Sequence, residues 1–224
     1  MVLASSSIEL VKSQEGYRRE ALSPGNEITI VAPEGCPPST ENQIDAVFAA
    51  PHIYKEAMEA EKEGYQAVSI DCFLEPGLEA CKLGCNIPVL GAGEAAFVYS
   101  QLFSRKVAVI IPVESSLKAV EDQVSRYGMG ERVIGIYSAG IHVLDLDNYN
   151  QTLKALVPLV EKAKEQGAEA IILGCTVMGP LTKELKKQTK IPVIDPGVIA
   201  LKMVEVMVSM GDSYPYKVQK AEKN

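Results

Sequence analysis

The chain has 224 residues, a hydrophobic fraction of 47% and a formal net charge of −7. This composition supplies a large apolar core and argues against a disordered chain. An acidic chain with 22 Lys and Arg residues is a poor match for nucleic acid, so no nucleic-acid partner is predicted.

Short apolar runs alternate with longer amphipathic stretches along the chain. Strands are predicted at Glu27–Val31, Ala67–Ile70, Pro88–Leu90, Val107–Ile111, Val133–Ile136, Ala170–Leu173 and Pro192–Ile194. Helices are predicted at Glu41–Glu63, Leu78–Leu83, Glu94–Leu102, Leu117–Tyr127, Asn148–Gln166, Leu181–Gln188 and Val198–Met207, and the tail Asp212–Asn224 is predicted to be a polar surface segment. Continuous apolar strands separated by helices indicate an α/β fold with parallel sheets flanked by helices. Such folds bind small ligands at the carboxyl ends of their strands.

Targeting signals, membrane spans and cysteines indicate where the protein is located and whether its thiols are free. The N-terminal Met1–Ser7 has neither the basic nor the apolar region of a secretory signal. The longest apolar runs, such as Val107–Val113, are too short to span a membrane. Five cysteines without an export signal are expected to be free thiols. We therefore predict a cytoplasmic protein without a membrane partner.

An internal repeat is the most informative feature of the sequence. In Gly64–Cys72 and again in Gly167–Cys175, a cysteine follows a glycine by eight residues, with an apolar strand between them. A turn with glycine and proline follows each cysteine, and then Ile87–Leu90 or Ile191–Ile194. Gly93 and Gly197 each lie five residues after the proline of that segment. Two copies of one unit predict two pseudo-symmetric lobes with the active site in the crevice between them.

The two repeated cysteines are the candidate catalytic residues. Cys72 and Cys175 each follow a buried strand and precede a helix, where free N–H groups and the helix dipole favour a thiolate. This placement predicts a lowered thiol pKa. Two thiols that face each other across a ligand suit one reaction, in which one removes a proton from a carbon and the other delivers a proton to the opposite face. The alternative is that each cysteine only packs in the core.

The remaining cysteines do not share this placement. Cys81 and Cys85 are four residues apart, on or just past a helix, and are interpreted as packing residues, and Cys36 is a loop thiol. A zinc site would need paired spacings together with histidine. The two histidines, His52 and His142, have no such partners, so no metal is predicted.

At these motifs the chain resembles the Asp/Glu/hydantoin racemase superfamily, and most closely its hydantoin/allantoin racemase branch. Asp71–Ala80 is similar to that branch's first cysteine motif, and Ile87–Ala96 to the segment that follows it. Gly167–Met178 is similar to the second cysteine motif, and Pro192–Asp195 to the closing strand. The resemblance implies cofactor-independent proton transfer by two cysteines on a small-molecule substrate, in a homo-oligomer. It also implies a first lobe of residues 1–95 plus 196–224 and a second lobe of residues 96–195.

Substrate contacts are also implied by the resemblance, through backbone N–H groups near the cysteines. The candidate binding residues are Phe73, Gly91, Gly93, Gly174, Thr176, Val177 and Ser6. The family usually opens with a strand ending in Asn-Pro-Asn-Thr, whereas here only Met1–Ser7 precedes the first predicted elements, and Ser5–Ser7 are possible substitutes. Thr176 resembles the amino-acid racemases, but Phe73 cannot bind an α-carboxylate through a side-chain hydrogen bond. A hydantoin or allantoin is therefore favoured, and aspartate or glutamate remains an alternative.

Three other readings are open. Related enzymes decarboxylate malonates or isomerise maleate, although the presence of both cysteines favours racemisation over decarboxylation. Gly91–Ala96 has the Gly-x-Gly-x-x-Ala pattern of a dinucleotide site, which would indicate a nicotinamide-dependent oxidoreductase. A two-lobed sensor of small molecules without enzymatic activity is the third reading.

Overall fold

The apolar runs form two parallel sheets. In the computed structural model, which describes residues 1–215, the first sheet contains β1 (Val2–Leu3), β2 (Val68–Asp71) and β3 (Val89–Gly91) in that order. The second sheet contains β4 (Val107–Ile111), β5 (Val133–Ser138), β6 (Ala170–Leu173) and β7 (Val193–Ile194), in the order β5-β4-β6-β7. All pairings are parallel, which confirms the predicted α/β class.

Eight α-helices among the described residues connect and cover these strands. They are α1 (Ile8–Ala21), α2 (Gln43–Lys62), α3 (Leu78–Gly84), α4 (Ala92–Ser100), α5 (Leu117–Arg126), α6 (Tyr149–Glu165), α7 (Thr182–Thr189) and α8 (Pro196–Met210). Within residues 1–215, no helix combines the length and the apolar character that a membrane span requires. Residues 216–224 of the predicted polar tail lie outside the described residues.

The two halves of the chain repeat one arrangement. Each half runs from its first strand, β1 or β4, through a helix to an extended segment or strand, and then through three helices and two further strands. The extended segment that ends at Val31 lies beside β1, as β5 lies beside β4. The glycines that open the repeat, Gly64 and Gly167, both adopt left-handed backbone conformations, with φ of 89° and 94°. The repeat in sequence is therefore a repeat in structure.

One predicted strand is absent from the fold, and one helix of the fold was not predicted. Glu27–Val31 is not a strand, because only Val31 pairs, through a single bridge to Val2 on the two-residue edge that β1 offers. The opening strand of the fold is present as β1, paired with β2. Helix α1 was not predicted, because its buried face consists of Leu10, Gln14 and Arg18 and carries no apolar stripe.

Helix α8 returns from the second sheet to the first. Its Ala200 and Val204 pack with Leu90, Ala92 and Ala95 in one buried cluster. Helix α4 in turn packs Ala96 and Phe97 into the core of the second sheet. The helices therefore link the lobes. The lobe boundaries at residues 95/96 and 195/196 stay a prediction, and residues 216–224 of the first predicted lobe are outside the described part.

Candidate active site

Cys72 and Cys175 lie at the carboxyl ends of the central strands of the two sheets. Cys72 follows β2 directly, and Cys175 follows β6 after Gly174. Both residues line one cavity, whose empty volume of about 560 Å³ includes open solvent. Cys72 is partly exposed, and Cys175 is 8% exposed. The repeat thus places two thiols against one space.

The electrostatics of these thiols differ from the expectation of a lowered pKa. Burial raises the pKa of both Cys72 and Cys175 to about 12. Backbone N–H groups of Leu74 and Glu75 oppose this shift at Cys72, and those of Val177 and Met178 oppose it at Cys175. The helix-start effect is therefore present, but the loss of hydration outweighs it. Nearby negative charges also raise the pKa of each thiol. Cys175 acts on Cys72 in this way, and Asp71 acts on both.

The two cysteine loops are joined directly. Thr176, which follows Cys175, donates its hydroxyl to the carbonyl oxygen of Asp71, which precedes Cys72, over 3.2 Å. Arg18 of α1 donates from Nη2 to the side-chain carboxylate of Asp71 at 3.3 Å and to the Thr176 carbonyl at 2.9 Å. Arg18 is fully buried. One guanidinium therefore holds both loops of the crevice.

Asp195 completes this network. It accepts from Arg18 Nη1 at 3.3 Å and from the Tyr17 hydroxyl at 2.7 Å. Its other oxygen accepts the backbone N–H groups of Gly197 and Val198 and thereby caps α8. A Cβ at Gly197 would contact both Arg18 and Asp71, so the glycine singled out by the repeat makes room for the ion pairs.

A similar cluster surrounds Glu75. This buried carboxylate accepts the backbone N–H of Glu94 at the start of α4, the Tyr127 hydroxyl at 2.5 Å and Gln123 Nε2 at 3.0 Å. Burial raises the pKa of Glu75 to about 7. A carboxylate, a tyrosine and an N–H donor thus recur at the starts of α4 and α8. Of these two clusters, the one around Asp195 contains a cation from α1, Arg18.

This cluster bears on three sequence predictions. Gly91 and Gly93, predicted to bind substrate, are not among the residues that line the cavity, and a Cβ at either position would meet the Glu75 side chain. Their role is to admit Glu75 to the start of α4. The same carboxylate already accepts the Glu94 N–H at the start of α4, where a dinucleotide pyrophosphate would bind, and this argues against a nucleotide-binding turn at Gly91–Ala96.

The cavity lining contains some predicted residues and others that were missed. Of the residues predicted to bind substrate, Phe73, Gly174, Thr176 and Val177 line the cavity, whereas Ser6 does not, and its neighbour Ser5 does. The Ser5 hydroxyl donates to the Pro38 carbonyl at 2.6 Å. The other lining residues are Leu3, Ala4, Leu10, Gln14, Ser39, Thr40, Asp71, Leu74, Pro112, Ser116 and Val143. Gln14 and Leu10 come from the missed helix α1, whose start and stop signals, Ser7 before it and Pro24-Gly25 after it, could have revealed it.

The other sequence candidates lie apart from the cavity. Cys81 and Cys85 are fully buried in the core of the first lobe, and Cys36 is also buried there. Within residues 1–215, no three His, Cys, Asp or Glu side chains converge as a metal site would require.

Comparisons with known proteins agree with this geometry. A family model described as Asp/Glu/hydantoin racemase matches residues 2–204. A hydantoin racemase from Rhizobium meliloti is 35% identical over 80% of this chain and 75% of its own length. A hydantoin racemase from Pseudomonas sp. strain NS671 is 29% identical over 92% of this chain and 84% of its own. Among solved structures, an allantoin racemase from Klebsiella pneumoniae superposes with a TM-score of 0.92 at 25% identity, covering 100% of this chain and 94% of that one.

Proposed function

This chain belongs to the Asp/Glu/hydantoin racemase family, and we propose that it racemises a 5-substituted hydantoin or an allantoin-like ureide by proton transfer between Cys72, Cys175 and one substrate carbon. The family membership makes it an isomerase. The observation that carries the cysteine mechanism is that both thiols stand at equivalent positions of the two sheets and line one cavity.

In the proposed mechanism, one cysteine acts as thiolate and the other as thiol. The thiolate removes the proton from the substrate stereocentre, and the thiol on the opposite face returns a proton to the planar intermediate. Reversal of the two roles converts the other enantiomer. The negative oxygen of the intermediate is stabilised by backbone N–H groups of the turns that follow the cysteines.

The raised pKa values serve this reaction. A desolvated thiolate with a pKa of about 12 is a stronger base than an exposed one, so its basicity lies nearer to that of a carbon acid. The same shift keeps the partner protonated as the required acid. The cost is a small thiolate fraction at neutral pH.

A neutral ring fits the cavity better than a dicarboxylate. Among residues 1–215, the lining residues include no Lys, Arg or His, and they do include Asp71. The nearby cation, Arg18, is already engaged by Asp71, Asp195 and the Thr176 carbonyl. An aspartate or glutamate substrate would have to place its second carboxylate in a wall without a cationic side chain, which is unfavourable.

Optical rotation tests this proposal. Purified protein without added cofactor is incubated separately with an enantiopure hydantoin, allantoin, aspartate and glutamate. We expect loss of rotation with the hydantoin or allantoin, and a decrease of kcat/KM by about 100-fold or more in both Cys72→Ser and Cys175→Ser, since each removes one proton carrier. Cys36→Ser, outside the cavity, is the matched control and should stay active. Near-wild-type activity of either cavity variant would refute the two-cysteine mechanism.

We also propose a cytoplasmic homo-oligomer. All five cysteines are free thiols, which suits a reducing compartment. On α2, the large apolar residues Ile44, Val47 and Phe48 are 69%, 70% and 64% exposed, which supports burial of this face between copies. Light scattering of the purified protein would test the assembly; a monomer at micromolar concentration would contradict it.

A further inference from the structure

Gln14 is a buried amide in the wall of the proposed catalytic cavity. It lies on the inner face of α1, one turn from Leu10 and one turn from Arg18, and is 1% exposed. Its Nε2 lies 3.5 Å from the Tyr149 hydroxyl, at the limit of a hydrogen bond. Its Oε1 is buried without a hydrogen-bond partner among residues 1–215. Buried acceptors normally have a donor, so this oxygen points to a donor that arrives with the ligand.

The hydroxyl side chains of the wall are already engaged by the protein. The hydroxyls that donate to backbone carbonyls are those of Ser5, Thr40, Ser116 and Thr176. Among the lining side chains of the described chain, only Gln14 Oε1 and Asp71 Oδ2 are buried acceptors without a donor. Both are oxygens, so the wall can accept hydrogen bonds from N–H or O–H donors of a ligand rather than donate to its carbonyls.

We propose that Gln14 is a specificity-determining residue that accepts a hydrogen bond from a ring N–H of the substrate through Oε1. This inference rests on the proposed function and adds to it the side chain that recognises the substrate ring. A 5-substituted hydantoin carries an N–H beside the reacting carbon and another between its two carbonyls, and either is a donor that an aliphatic or ester substrate lacks. A site built to pair a substrate N–H discriminates strongly against analogues without it, because its buried oxygen is then left unpaired.

A cycle between a protein variant and a substrate analogue tests the contact. The wild type and Gln14→Met are assayed for racemisation of an enantiopure 5-substituted hydantoin and of its N1-methyl and N3-methyl derivatives. Gln14→Met should lower kcat/KM for the parent hydantoin by about 10- to 100-fold. For the derivative methylated at the contacted nitrogen, the same substitution should change kcat/KM by less than about 3-fold. Leu10→Met, on the adjacent turn of the same wall, is the control and should leave the ratios between the three substrates unchanged.

The outcomes separate this contact from a structural role. A uniform loss on all three substrates, or no loss on any, would overturn the inference, because a packing defect does not distinguish N–H from N–CH₃. If Gln14→Met does not fold, the wild type alone decides: equal kcat/KM for the parent and both methyl derivatives overturns the contact, and a selective loss with one derivative supports it. Absence of racemisation of the parent hydantoin by the wild type would instead refute the proposed function.

Discussion

Arg18→Met is the perturbation that tests the architecture of the crevice most sharply. Arg18 has no exposed surface, and its removal leaves Asp71 and Asp195 buried without their cation. Breaking a buried ion pair by removing one partner typically costs about 3–5 kcal/mol. Methionine fills similar volume, so most of this loss is electrostatic. With a urea dependence of about 2 kcal/mol per molar, the unfolding midpoint should fall by about 1.5–2.5 M.

The neighbouring arginine provides the control. Arg19 forms an exposed pair with Glu15 one turn away, with side chains 52% and 44% exposed, and such pairs contribute about 0.3–0.5 kcal/mol. Arg19→Met should therefore leave the midpoint almost unchanged. The double variant Arg18→Met/Asp71→Asn should recover part of the loss, because one stranded charge is removed. A loss below about 1 kcal/mol in Arg18→Met, or no recovery in the double variant, would refute the network's role.

Two further predictions concern pH. The pKa of Glu75 is raised to about 7 in the folded protein. Its contribution to stability is therefore fully present below about pH 4.5, where the folded and unfolded forms are both protonated. This contribution, about 3 kcal/mol in total, is lost as the pH rises through about 7. Glu75→Gln should lack this component, so urea midpoints at about pH 5 and 8 should differ less in the variant than in the wild type; equal differences would contradict the assignment. For activity, thiols with a pKa of about 12 require that log kcat/KM rise with a slope of about one between about pH 7 and 9, and a plateau below about pH 8 would show that the reacting base is a different, more acidic group.

The elements that face an apolar core could be predicted from the sequence. Strands β4 and β6 agree with their predicted bounds to the residue, because continuous runs of Val, Ile and Leu leave little ambiguity. Helix α1 could not be found in that way, since Gln14 and Arg18 on its buried face read as surface residues. The polar face of α1 is explained only by its long-range partners, the carboxylates of Asp71 and Asp195 and the cavity itself.

The candidate site shows the same division. The repeated spacing was sufficient to bring Cys72 and Cys175 to one cavity, because equivalent strands end at equivalent places in the two sheets. Arg18 is 53 residues from Asp71 and 177 from Asp195, so their contact follows from the packing of α1 across both loops and from no local pattern. The pKa expectation failed because the sequence shows where a helix begins but not how much water reaches the sulfur. The resemblance implied substrate contacts for Gly91 and Gly93. Their proximity to Glu75 could not be predicted, because the approach of this side chain to the start of α4 is a tertiary contact.

Hydrogen exchange in D₂O measures the central claim most directly. Each enantiomer of the substrate is incubated separately with Cys72→Ser and with Cys175→Ser, and deuterium at the stereocentre and inversion are followed together by NMR and chiral chromatography. Two bases on opposite faces predict that each variant exchanges only one enantiomer, without inversion, and that the two variants select opposite enantiomers. Exchange of the same enantiomer by both variants, or inversion at the wild-type rate in either, would contradict the mechanism.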